Sequence, residues 1–262
     1  MNPTAALPAR LFSRLRLSEF GWVRQTALVA AALVGSAAFA YAANLASRTA
    51  LWQVVRACTL DKTTLGSPLP CLDVNLDGGV ERGYAVLRPP LGNTDTILTP
   101  TRRLIGLEDP TLQAPEEPNY FALAWDARRF LPVREAPADE RIGLAVNSAL
   151  ARSQDQLHIH IGCLAPDFAQ RLRKLGLGPT AGVWFREPDY GHKLEFWTYR
   201  SGSRDWAGLE PFRLARELVG DRGLARTTLG VIANRTEYVV IALRSRPGGW
   251  FAAAEDILDA RC

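Results

Sequence analysis

The sequence predicts an α+β fold: a mainly antiparallel sheet with helices packed against it, in two related halves, preceded by an N-terminal transmembrane helix. Three observations predict it. Short apolar runs of strand length, bounded by Pro, Gly, Asn and Asp, recur from residue 83 onward. The order strand, helix, strand, turn, strand occurs twice. One uncharged run near the N-terminus is as long as a bilayer core is thick. The chain has 262 residues, 47% of them hydrophobic and 22% charged, which is ordinary for a folded protein of one large or two small domains. Its net charge of +4 is too mild to point to nucleic acid.

The apolar run is ALVAAALVGSAAFAYAANLA, residues 27–46. As a helix it would span about 30 Å. Arg10, Arg14, Arg16 and Arg24 precede it, and Arg48, Arg56 and Lys62 follow. This small excess places residues 1–26 in the cytoplasm and the rest of the chain outside. The rival reading is a cleaved signal peptide, since Ala38-Phe39-Ala40 fits a cleavage site. Either reading exports the remaining chain. Four cysteines, Cys58, Cys71, Cys163 and Cys262, agree with export and suggest two bridges, for which three pairings exist. Cys58 and Cys71 flank a short Pro-containing loop that a bridge would close simply, which leaves Cys163 for Cys262. Four reduced, buried thiols are the alternative.

Residues 47–82 read as a linker with a helix over Arg48–Cys58, where Leu51, Val54 and Val55 share a face, followed by a Pro- and Gly-rich loop. The first half, 83–185, has strands at Gly83–Arg88 and Thr94–Pro100. A helix over Asn119–Phe130 follows, capped by Asn119, and then strands at Arg141–Val146 and Leu157–Leu164. On that helix Trp125 reads as core and Arg128 as a surface ion pair. The second half, 186–262, repeats the order: a strand at Leu194–Tyr199, a helix over Glu210–Val219 with Pro211 at its first position, and strands at Thr228–Ala233 and Glu237–Leu243. Asn147 and Asn234 follow equivalent strands, but the second half carries no histidine in its last strand. His192 reads as a loop residue.

The chain has three histidines, and two of them stand in Gln156-Leu157-His158-Ile159-His160-Ile161. On a strand, Gln156, His158 and His160 share one face, the imidazoles about 7 Å apart, while Leu157, Ile159 and Ile161 face a core. Two exposed histidines on a half-covered strand are the bland reading. A metal site would need a third ligand from far away, and no second H-x-H or HExxH supplies one. The reading with the most support is attack on phosphorus. A neutral imidazole whose other nitrogen is held by an acceptor can form a covalent phosphoramidate. Arg152, Ser153, Gln154 and Asn147 stand where they could donate to phosphate oxygens.

Together these residues resemble the histidine triad superfamily, with Gln156 in place of the first histidine. Within it the chain is similar to the family of bacterial CDP-diacylglycerol pyrophosphatases. The likeness runs through the N-terminal apolar segment, Cys58 and Cys71, Gly83–Leu87, Pro100-Thr101 with Arg103, Asn119 with Phe121 and Leu123–Trp125, Ala127-Arg128, Asn147-Ser148, the histidine strand with Cys163, and a late cysteine. The resemblance implies a HIT-like fold and hydrolysis of CDP-diacylglycerol to CMP and phosphatidate, without cofactor or bound metal. It makes His158 the nucleophile and His160 a phosphate contact that helps proton transfer. Gln156 is a support residue, and Asn147, Ser153, Gln154 and Arg103 bind phosphate. It implies a single-pass protein of the cell inner membrane with a periplasmic catalytic domain, meeting its lipid in the bilayer. Oligomeric state stays open. The alternatives are a membrane-anchored nucleotide or phospholipid binder, a metal-dependent hydrolase with His158 and His160 as ligands, and transfer to an acceptor other than water.

Overall fold

The computed structural model describes residues 47–88, 96–187, 194–248, 251–259 and 262. The expected membrane segment 27–46, its flank 1–26 and His192 lie outside them. Among the described residues no helix is long and apolar enough to cross a membrane.

One antiparallel sheet organises the chain. Its strands are β1 (Asp73–Asn75), β2 (Tyr84–Leu87), β3 (Thr96–Pro100), β4 (Ile142–Val146), β5 (Ile159–Leu164), β6 (Trp184–Glu187), β7 (Leu194–Arg200), β8 (Thr227–Ala233), β9 (Tyr238–Ser245) and β10 (Leu258–Asp259). They lie in the order β1-β2-β3-β5-β4-β8-β9-β7-β6, with β10 paired to the end of β5. From the central β4–β8 pair outward, one side reads β4, β5, β3, β2 and the other β8, β9, β7, β6. Among the described residues four helices cover the sheet: α1 (Ala50–Leu65), α2 (Tyr120–Asp126), α3 (Pro166–Leu175) and α4 (Pro211–Leu224).

The main core lies on the first face of the sheet, under α2 and α4. Leu98, Leu144, Val146, Leu157, Ile159, Ile161, Leu229, Val231 and Val240 meet Phe121, Ala124, Trp125, Phe212 and Ala215 there. Phe121 and Phe212 join the two helices with rings 5.0 Å apart. Trp125 is buried in this core, while Arg128 lies over its ring and pairs with Asp139 at 3.5 Å. The second face carries two separate apolar patches. One packs Leu51, Val55 and Cys58 of α1 on Val74, Ala85, Leu87 and Ile97. The other packs Phe168 of α3 and the C-terminal residues Ala252, Ala254, Ile257 and Leu258 on Ala145, Ile232, Val239 and Ile241.

Several elements differ from the sequence reading in extent. Helix α1 runs on to Leu65, where Gly66 ends it in the left-handed conformation. Asn119 caps α2 by accepting from the N–H of Ala122, but the helix tightens to a 3-10 turn at Ala127–Phe130. Gly220, at φ 64°, interrupts α4 just after Val219, where the sequence reading ended that helix. Strands β1, β6 and β10 and helix α3 were not foreseen, and the expected 185/186 boundary falls within β6.

Both bridges form, Cys58–Cys71 and Cys163–Cys262. The first fastens α1 to the segment entering β1. The second carries the tail back to β5, across a sheet surface cleared of side chains. A Cβ on Gly143 would lie 2.6 Å from the Leu258 side chain, and one on Gly162 would lie 3.2 Å from the Asp259 carbonyl. Glycine at both positions lets the tail lie against the strands.

Candidate active site

Strand alternation sends Leu157, Ile159 and Ile161 into the main core and leaves His158 and His160 to the second face. His160 is level with Ile97 of β3 and Ala145 of β4. Ile97 belongs to the patch under α1 and Ala145 to the patch under the tail, so the histidines sit between the two. Both are largely buried, 7% and 8% exposed. Their ring centres are 4.9 Å apart and the planes are inclined at 59°.

The Nδ1 of His158 lies 2.7 Å from the backbone carbonyl of Gln156. A carbonyl oxygen only accepts, so Nδ1 carries the hydrogen, and Nε2 keeps its lone pair. Burial, followed by the neighbouring His160 and Arg152, lowers the imidazole pKa to about 3, against the opposing pull of the Gln156 carbonyl. His158 is therefore a neutral imidazole of fixed tautomer at physiological pH, the state a nitrogen nucleophile needs.

The Gln156 side chain turns to the end of β3 and the loop after it. Its Nε2 donates to Pro100 O at 3.1 Å and Arg102 O at 3.0 Å, with Thr99 Oγ1 at 3.3 Å, and so pins the start of the histidine strand to the loop after β3. Asn147 lies at the end of β4 beside the tail. Its Oδ1 accepts from the N–H of Ala254 at 2.6 Å, and its amide nitrogen makes no hydrogen bond among the described residues. Thr228 adds a second tie: its Oγ1 donates to Ala252 O and accepts from the N–H of Ser148.

The stretch before the strand is knotted to the start of the folded body. Gln154 Oε1 accepts from the N–H of Leu51, the second residue of α1, at 2.9 Å. Arg48 grips both oxygens of Asp155 at 2.6 and 2.8 Å, and the N–H of Asp155 donates to Arg48 O at 2.7 Å. Hydrogen bonds from Arg48 hold the Asp155 carboxyl at a pKa of about 2, helped by Arg152 and opposed by burial. Arg152 is nearly buried and pairs with Glu108 at 2.6 Å and Asp155 at 3.2 Å. Ser153 is exposed, with no hydrogen bond among the described residues. Arg103 is exposed on the loop after β3 and makes no ion pair or hydrogen bond with another described residue.

Thus the structure brings His158, His160, the Gln156 carbonyl and Asn147 to one face. Gln154 turns toward α1, and Arg103 is exposed between Arg102 and Leu104, whose carbonyls accept from Gln156 and Leu157. Sequence reasoning missed the Arg152–Glu108 pair, which needs two distant loops to meet. It also missed the contact of Ala254 with Asn147. The pairing of Cys163 with Cys262 carried a signal for the second of these, because it returns the tail to this strand. Among the described residues no group of three His, Cys, Asp or Glu side chains could hold a metal ion.

A family model described as CDP-diacylglycerol pyrophosphatase matches residues 46–262. A CDP-diacylglycerol pyrophosphatase of Yersinia pestis is 32% identical over 267 aligned residues, covering 92% of this chain and 94% of its own.

Proposed function

Because this chain belongs to the CDP-diacylglycerol pyrophosphatase family and is a hydrolase of that class, we propose that it cleaves CDP-diacylglycerol through a covalent cytidylyl-histidine on His158. The observation that carries this reading is the hydrogen bond from His158 Nδ1 to the Gln156 carbonyl. Nε2 attacks the phosphorus on the cytidine side. The N–P bond forms, the bond to the bridging oxygen breaks, and phosphatidate leaves with that oxygen. The imidazole becomes positively charged, and the Gln156 carbonyl keeps the Nδ1 proton in place and stabilises that charge. Water then attacks the same phosphorus and releases CMP, and the imidazole returns to neutral. His160 contacts the phosphate and takes part in proton transfer. The free amide N–H groups of Asn147 and the exposed Ser153 are suited to donate to nonbridging oxygens, and Arg103 supplies charge at the rim.

The reading extends to the fold and the setting. The H-x-H strand, with a backbone acceptor behind the first imidazole, supports membership of the histidine triad superfamily. The mirrored strand order on either side of β4–β8 supports an internal duplication whose second half has no histidine in its last strand. Residues 27–46 anchor the chain in the inner membrane with the sheet on the periplasmic side, where both bridges persist.

Rapid quenching of a single turnover with substrate labelled at the cytidine-side phosphorus tests the mechanism. Label bound to protein through an acid-labile, alkali-stable bond is expected, and His158→Ala should retain none. Accumulation of labelled CMP with no protein-bound label would exclude the covalent step. Activity lost in EDTA and restored by zinc would favour a metal-dependent reaction. New cytidylyl esters formed in glycerol would mark transfer to acceptors other than water.

A further inference from the structure

We propose that the end of the sheet at which β5 begins is the surface that rests on the lipid bilayer. The inference builds on the lipid substrate of the proposed reaction. Antiparallel pairing brings the end of β3, the end of β4 and the beginnings of β5 and β8 to this one end. Three connections there each present an exposed apolar side chain: Ile105 after β3, Leu150 between β4 and β5, and Phe251 in the tail, at 41%, 45% and 57% exposure. Each stands close to the site. Leu104 O, next to Ile105, accepts from the N–H of Leu157, and Leu150 lies within the turn closed by Arg152 N–H to Ser148 O. Phe251 precedes Ala252, whose carbonyl is tied to Thr228. Exposed Arg103 is on the same connection as Ile105 and offers a cation to lipid phosphates.

The chain's entry point selects a bilayer over other partners. The uncharged run 27–46 ends two residues before Arg48. Arg48 is fixed by its grip on Asp155 and by Asp155 N–H to its carbonyl, and Leu51 is held by Gln154, so both are tied to residues that shortly precede His158. The first residue of the folded body is therefore held beside the histidine strand, at the end where the three apolar side chains project. Apolar tips flanked by arginine are the composition of an interfacial contact.

The test compares one enzyme on two forms of substrate. The full-length chain is assayed on long-chain CDP-diacylglycerol in phosphatidylethanolamine–phosphatidylglycerol vesicles, and on dihexanoyl CDP-diacylglycerol kept below its micellar concentration. The triple change Ile105→Ser, Leu150→Ser, Phe251→Ser is expected to lower kcat/KM on vesicles by about tenfold while the soluble substrate changes by less than about twofold. Equal losses on both substrates, or no loss on either, would overturn the proposal. Leu150→Glu and Phe251→Glu, each at a half-exposed position, are read by the same comparison should the triple variant fold poorly. If the unaltered protein releases CMP from neither substrate, the proposed hydrolysis itself fails, a result distinct from an unchanged vesicle-to-soluble ratio.

Discussion

His158 is kept neutral by its surroundings, so its protonation is linked to the stability of the fold. Its folded pKa, about 3, lies below the ordinary value of 6.5. Between those values the unfolded chain takes up a proton that the folded chain refuses, so stability falls as pH drops from about 6.5 toward 3. Above that window the residue adds nothing. The expected loss from this residue is about 2 kcal/mol between pH 7 and pH 5. Urea unfolding of the protein and of His158→Gln at both pH values measures it as the difference between the two slopes. Gln156 has a different part. Gln156→Ala leaves Pro100 O and Arg102 O without their donor in a buried place and should cost about 2 kcal/mol or more. Because the backbone carbonyl that orients His158 survives, turnover should drop far less than in His158→Ala, which is expected to lose about a thousandfold or more in kcat. The alternation Gln-x-His-x-His was enough to place both rings on one face. The direction of the Gln156 amide was not legible, because it depends on where a loop fifty residues earlier places its carbonyls.

Elements whose apolar pattern matched their period were readable: β4, β5, β8, β9, and helices α2 and α4. Elements whose partners decide their state were not. β1 has one buried residue, Val74, and exists because β2 offers it an edge. α3 buries only Phe168 among its charged residues and is held by packing on the tail patch. Two ties bring distant elements to the site, and each predicts a result. Asp155→Ala removes the carboxylate that grips Arg48, and should detach the first turn of α1 from the segment before β5. Faster amide hydrogen exchange at Leu51 and Asp155 is the expected readout, with little change in β8 and β9. Asn147→Ala removes the acceptor for the Ala254 N–H and should destabilise the fold by about 1–2 kcal/mol. If its amide also holds phosphate, KM rises or kcat falls as well, whereas Thr228→Val should weaken the tail without that kinetic change.

Over the whole molecule, the repeated strand–helix–strand order was legible and the sheet continuity was not. No local pattern reveals that β4 and β8 pair across the middle, since both are simply buried on two faces. The tail's path over Gly143 and Gly162 was equally hidden, because isolated glycines in strands do not say which segment crosses them. The strands on the two sides of the sheet are joined at that central pair and again by the tail. Heat or urea should therefore unfold them in one transition, and calorimetric and van't Hoff enthalpies should agree.

The bridge between Cys163 and Cys262 encloses 99 residues of sequence separation, so β6 through β10 form a covalent ring closed on the histidine strand. Opening a ring of that size releases about 4–5 kcal/mol of denatured-chain entropy. In a reducing medium the same polypeptide would keep its imidazoles yet lose the fastening that holds Ala252 and Ala254 over Thr228 and Asn147. Reduction would therefore weaken the site without altering any residue in it, so the oxidation state of this one cysteine pair is expected to set how much hydrolysis the protein performs.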